Sequence, residues 1–158
     1  MNKNIFVVLH NIRSLNNVGS IFRTADGAGV LKIFLTGYTP APVDSFNRER
    51  KEIHKTALGA EKFIEWEKTG DIGKLIKKLR KEGVCVVAVE QSPKAIDYKK
   101  FKPKFPLAII LGNEVRGLSK KVLEKCGAIA QIPMCGKKES LNIAVAAGIA
   151  LYEFKNKI

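Results

Sequence analysis

Three short polar turns in this chain carry residue types able to do chemistry on a bound ligand. The first runs Asn17, Val18, Gly19, Ser20, Ile21, Phe22, Arg23, Thr24, Ala25, Asp26; Asn17 and Arg23 stand six residues apart with Ser20 between them. Such spacing lets a loop end and the second turn of a following helix address one ligand. The second runs from Leu111 to Leu118, where Gly112 allows close backbone approach and Glu114 and Arg116 supply charge. In the third, Ile132 and Pro133 lead through Met134, Cys135 and Gly136 to Ser140, Leu141 and Asn142, which open a segment with apolar residues at 141, 144, 145, 149 and 152. A strand, loop and amphipathic helix in that order put backbone N–H groups and short polar side chains at the end of a buried strand, where ligands of open α/β sheets sit. These are acid–base and orienting groups, not metal ligands: Cys85, Cys126 and Cys135 have no second cysteine or histidine at metal spacing, and read as reduced thiols.

The elements that must hold these turns follow from periodicity. Ile5–Leu9, Leu31–Leu35, Val84–Val89, Leu107–Leu111 and the run entering Ile132 are nearly all apolar, as strands buried on both faces are. His10 ends the first of them. Apolar residues at 18, 21, 22, 25 and 28 predict a helix over Val18–Ala28, capped by Asn16 or Asn17 and stopped by Gly29. Asp71 caps a helix with Ile72, Leu75, Ile76 and Leu79 inward and four lysines outward; Ser119 starts another, with Leu118 and Leu123 as a hydrophobic staple. Lys62–Glu67 alternates as a short edge strand does, Thr39–Leu58 reads as a long loop with a short helical piece, and Lys94–Lys104 as a lysine-rich connection. Alternating strands and helices make an α/β fold with a mainly parallel sheet flanked by helices, in a single domain over residues 1–158.

With 46% hydrophobic and 27% charged residues in 158, the chain has the composition of a folded globular domain. No apolar run approaches the roughly 20 residues needed to cross a bilayer. The apolar segment after Met1–Asn4 is too short for a secretory signal, so a cytoplasmic protein is expected. Lys and Arg outnumber Asp and Glu by 28 to 15, a net charge of +13 that works against compactness and points to a polyanionic partner. Nucleic acid suits that charge better than a membrane, since no hydrophobic anchor accompanies it. The basic cluster in the long loop, with Arg48, Arg50, Lys51 and Lys55, is the candidate RNA-facing surface.

Together the three turns, N-x-G-S-x-x-R-T-A-D at 17–26, L-G-N-E-x-x-G-L at 111–118 and I-P-M with S-L-N at 132–142, resemble the signature motifs of the SpoU (TrmH) branch of the SPOUT superfamily of RNA methyltransferases. The likeness runs from Asn11 to Phe154. It implies a C-terminal trefoil knot, an exception to the rule that chains do not thread. It also implies a homodimer with its active site at the subunit interface and S-adenosylmethionine as cofactor, held against Val89, Gly112, Ile132, Met134 and Leu141. The implied reaction is methyl transfer to a ribose 2′-hydroxyl of tRNA or rRNA, with no metal. By the same resemblance Arg23 acts across the dimer, Asn17 and Glu114 fix Arg23 and the loops, and Ser140 and Asn142 hold the ribose or the methionine end. With no separate RNA-binding domain expected, RNA would rest on Arg13, Arg48, Arg50, Lys51, Lys55 and Lys137 or Lys138. The rival reading is a non-catalytic RNA- or ribosome-binding protein of the same fold.

Overall fold

A computed structural model of the chain describes residues 3–158; Met1 and Asn2, which open the segment tested for a secretory signal, lie outside the described residues. Among the described residues seven strands form one sheet: β1 (Ile5–His10), β2 (Lys32–Thr36), β3 (Glu65–Thr69), β4 (Cys85–Val89), β5 (Ile96–Asp97), β6 (Leu107–Leu111) and β7 (Ala128–Gln131). Their order across the sheet is β3-β2-β1-β6-β4-β7-β5, and every pairing is parallel. The chain builds outward from β1 to β3, then crosses to the other half, so the order reverses between β1 and β6. Such a reversal opens a crevice at the carboxyl ends of the strands.

Within each apolar run the side chains alternate between two cores. Val7 and Leu9, Ile33 and Leu35, Val87 and Val89, and Ile109 and Leu111 pack with α1 (Leu15–Gly27), α2 (Lys51–Ala57) and α5 (Ile143–Lys155). Val8, Phe34, Val86, Ala88 and Ile110 face the other way, against α3 (Ile72–Lys81) and α4 (Lys120–Lys125). Packing decides where α1 sits: Val18, Ile21 and Phe22 are fully buried, at roughly 1.5–3 kcal/mol each, well above propensity differences of about 0.7 kcal/mol per residue.

Three boundaries differ from the sequence reading. Helix α1 begins at Leu15, not Val18, because Ser14 and not Asn16 or Asn17 caps it, its hydroxyl accepting the Asn17 N–H at 3.1 Å. The edge strand is Glu65–Thr69, since Ala60–Lys62 winds into a single 3-10 turn. The lysine-rich connection contains the two-residue β5, which closes the opposite edge beside β7. The caps at Asp71 and Ser119 are as the sequence indicates, accepting from Lys74 N at 3.0 Å and Val122 N at 3.3 Å. His10 does end β1, its Nδ1 2.8 Å from the Thr36 hydroxyl.

Gly19 controls how α2 meets α1. A Cβ there would lie 2.0 Å from Thr56 Oγ1 and 2.3 Å from the Ile53 carbonyl oxygen, so any side chain forces the helices apart. The Thr56 hydroxyl donates to the Asn16 carbonyl at 2.9 Å across this contact.

At the far end of α5, the segment between β5 and β6 is fastened to the helix. The Lys157 ammonium donates to the carbonyls of Tyr98 (3.1 Å), Lys99 (2.7 Å) and Phe101 (2.9 Å), and Phe101 packs edge-on against Phe154 with ring centres 5.2 Å apart.

Candidate active site

The carboxyl ends of β4 and β6, the segment after β7 and the start of α5 enclose one cleft. Val89, Glu90, Gln91, Gly112, Asn113, Glu114, Ile132, Ser140, Leu141, Ile143 and Ala146 are among its walls. Its cavity volume is about 90 Å³, so a cofactor-sized molecule would extend beyond it through the open mouth. Four of the five residues assigned to a cofactor by resemblance, Val89, Gly112, Ile132 and Leu141, meet here; Met134 is half-buried and is not among the walls. Gly112 has to be glycine for the turn itself, since a Cβ would lie 2.7 Å from the Leu118 side chain and 2.8 Å from the Gly117 backbone.

The three polar turns are joined through Glu114. Its carboxylate accepts from the backbone N–H of Arg13 (3.1 Å to each oxygen) and of Ser14 (3.0 Å), and from the Asn17 amide at 3.5 Å. It thereby sits on the positive end of α1. Burial acts to raise its pKa, but the N–H donors of Ser14, Arg13 and Glu114 itself, with the Asn17 amide, outweigh that and hold the carboxyl below its usual range. On the other side Asn142 donates to Asn17 Oδ1 at 3.3 Å. Asn142 also caps α5, its Oδ1 accepting from Ala144 N (2.8 Å) and Val145 N (3.4 Å). The row Glu114, Asn17, Asn142 thus links residues that lie 97 and 125 positions apart.

Arg23 stands elsewhere in the single chain. It is exposed, in a shallow hollow with Ser20, Thr24, Gly27, Thr56 and Tyr152, and makes no ion pair among the described residues. Within one chain Asn17 and Glu114 bond each other and the loops, and neither bonds the Arg23 of the same chain. The cause is the earlier start of α1: with Asn17 already inside the helix, six residues rotate the chain by about 600°, leaving Arg23 about 120° around the axis from Asn17.

Two residues given no role in the sequence reading complete the turns. Buried Asn113 donates to the Asn11 carbonyl (2.9 Å) and the Tyr38 hydroxyl (3.0 Å), while its Oδ1 accepts from Val115 N and Arg116 N. The Glu90 carboxylate accepts from Leu118 N and Gln91 N, both at 3.0 Å, and closes the same turn from β4. Asn113 lies inside the L-G-N-E motif, a signal the sequence did carry; nothing local marks Glu90.

Of the basic residues, Arg13 and Arg50 converge on a second cavity beside the cleft, together with Tyr38 and Arg116. Arg48 pairs with Asp44 at 2.9 Å, and Lys51, Lys55, Lys137 and Lys138 project from the surface. His54 on α2 lies 2.6 Å from the buried Glu61 carboxylate and 3.4 Å from Glu49, outside the cleft. No described helix is long and apolar enough to cross a membrane.

An all-parallel sheet with this cleft and these motif turns belongs to a known class: residues 4–152 match the SpoU rRNA Methylase family, and the chain is a member of it. Among its relatives is YacO of Bacillus subtilis, whose name places it in the TrmH family of tRNA/rRNA methyltransferases, 30% identical over 152 residues that cover 96% of this chain and 58% of YacO. A solved AdoMet-bound rRNA methyltransferase from Sinorhizobium meliloti superposes with a TM-score of 0.89 at 32% identity, over 99% of this chain and 57% of that one. The A. aeolicus TrmH/SpoU tRNA modifying enzyme superposes with a TM-score of 0.85 at 26% identity, over 99% of this chain and 76% of the other. The chain spans a little under three fifths of the length of the curated relatives it matches.

Proposed function

We propose that this protein is a homodimeric, S-adenosylmethionine-dependent methyltransferase that modifies a ribose 2′-hydroxyl of tRNA or rRNA, working in the cytoplasm as one catalytic unit over residues 1–158. The observation that carries the reading is the row Glu114, Asn17, Asn142, which ties the three motif turns to the rim of one cleft. The cleft suits the cofactor chemically. Val89, Ile132, Leu141, Ile143 and Ala146 offer apolar packing for a flat purine, and the Gly112 turn brings main-chain groups close. Bound there, S-adenosylmethionine supplies an electrophilic methyl group. Met134 stays in the proposal as a residue of the flanking loop that would meet the part of the molecule outside the enclosed space.

Arg23 completes the site from a second copy of the chain. Its hollow lies along α1 and α5, where Val145 and Tyr152 are half-exposed apolar side chains, a surface that a second copy would cover. A guanidinium keeps its proton in nearly every protein environment, so we assign Arg23 to orienting the ribose and its phosphate. Ser140, on the cleft wall, would face the ribose or the methionine end. The implied knot belongs to this proposal; the grip of Lys157 on residues 98–101 is the contact between the end of α5 and the segment before β6 that such a knot would contain.

The test is Arg23→Ala in a methyl-transfer assay on total RNA, with cofactor titration and sedimentation alongside. The expected result is a dimer that binds the cofactor normally and transfers no methyl groups. Normal turnover would remove Arg23 from the site, and a wild-type monomer without cofactor heat would remove the enzyme reading.

A further inference from the structure

Next to the cleft, and sharing Asn113 and Val115 with it as walls, lies a wider cavity of about 700 Å³. Arg13, Arg50 and Arg116 line it, and no described wall residue is acidic. Each arginine leaves from a pinned backbone. Arg13 N is held by Glu114, Arg116 N by Asn113 Oδ1 at 2.8 Å, and Arg50 N by the Pro42 carbonyl at 2.9 Å. Arg50 Nε is buried with no hydrogen-bond acceptor, while the residue itself lines the cavity. Beside it the Lys68 ammonium donates to the carbonyls of Gly37 and Thr39; burial and then the Arg50 charge lower its pKa. The nearest carboxylates, Glu114 against the Arg13 backbone and Asp44 within the field of Arg50, lie outside the cavity walls, so the walls themselves carry positive charge alone.

The fourth wall is an aromatic ring. Tyr38 is 56% exposed, yet its hydroxyl is held by the Asn113 amide at 3.0 Å and its backbone N–H by Asn11 Oδ1 at 3.2 Å. A ring fixed at both ends with much of its surface open is a stacking platform. Cations that track a phosphate chain, combined with open aromatic rings, are how proteins take hold of single-stranded nucleic acid. A duplex hides its base faces and cannot use the ring.

We infer that the cavity of Arg13, Tyr38, Arg50 and Arg116 receives an unpaired nucleotide adjoining the methylated one, its base stacked on Tyr38 and its phosphate held by the arginines. The inference deepens the methyltransferase reading and rests on it for the position of the methylated nucleotide. It narrows the substrate to a loop or other unpaired stretch of RNA.

The test uses the full chain with a labelled single-stranded oligoribonucleotide and the same sequence in duplex, titrated over a range of salt, with Tyr38→Leu, Tyr38→Phe, Arg50→Gln and Arg116→Gln. Single strands should bind more tightly than the duplex. Tyr38→Leu should weaken single-strand binding roughly tenfold and leave duplex binding unchanged, while Tyr38→Phe, which keeps the ring, stays within about threefold of wild type. Each arginine variant should lower the slope of log K against log salt by about 0.7. Equal affinity for both RNA forms, or slopes and affinities untouched in all four variants, overturns the cavity assignment even if methyl transfer is found. The expected binding pattern in a protein that takes up no S-adenosylmethionine supports the cavity and refutes the enzyme instead. Circular dichroism of each variant separates lost contacts from lost folding.

Discussion

Replacing Glu114 with glutamine removes one negative charge from the point where the turn after β6 meets the start of α1. The carboxylate accepts from two backbone N–H groups and the Asn17 amide. A hydrogen bond to a charged acceptor contributes about 1.5–3 kcal/mol and a neutral one about 0.5–1.5, so each donor loses about 1 kcal/mol in the variant. Partial solvent exposure reduces the sum of three to about 1–2 kcal/mol. For a chain of this size that is a fall in melting temperature of roughly 3–6 °C. The pH dependence separates charge from shape. Because the folded-state pKa lies below the unfolded one, the charge stabilises the protein above the usual carboxylate pKa, and that contribution is lost as pH falls through the lower, folded value. Thermal unfolding of both proteins, followed by circular dichroism near pH 7 and again at about pH 3, should show a gap that closes on acidification. A gap of the same size at both pH values, or none near neutrality, refutes the assignment of Glu114 as a charged anchor.

Gly19→Ala must separate α1 from α2 or distort Thr56, and should cost about 1–3 kcal/mol in urea unfolding. Asn142→Ala removes both the α5 cap and the bond to Asn17; a loss of about 1 kcal/mol in the same measurement, with weaker S-adenosylmethionine binding by calorimetry, is expected. Burial pushes the Cys126 thiol up to about 11, with Arg80 opposing, whereas Cys135 is exposed. Iodoacetamide near pH 8 should therefore label Cys135 and spare Cys126, as peptide mass mapping would show.

Strands β1, β2, β4 and β6 could be read from the sequence because each is largely buried on both faces, so runs such as Leu107–Leu111 are apolar throughout. The caps at Asp71 and Ser119 were legible for a different reason: their partners lie three residues away. Neither condition holds for Asn17, whose two partners are 97 and 125 positions distant, or for Glu90, which closes a turn 28 residues further on. Pattern reading takes Asn16 or Asn17 as a cap because asparagine suits caps; only the fold reveals that Ser14 holds that place. The resemblance already placed Arg23 across the dimer; what the sequence did not show is that Asn17 lies inside α1, about 120° around the axis from it. Residues 96–97 form a strand only because β7 lies beside them.

Lys157 sets a condition on biosynthesis. Ile143 and Ala146 of α5 are part of the cleft wall, while the clasp on residues 98–101 is made at that helix's far end, past Phe154. A growing polypeptide on the ribosome lacks part of the pocket wall until Ile143 and Ala146 have emerged, and lacks the clasp until residue 157 follows. Trimming a few residues from that end would free the segment at 98–101 from α5, while the buried Ala147, Ala150, Leu151 and Phe154 would keep the helix against the core.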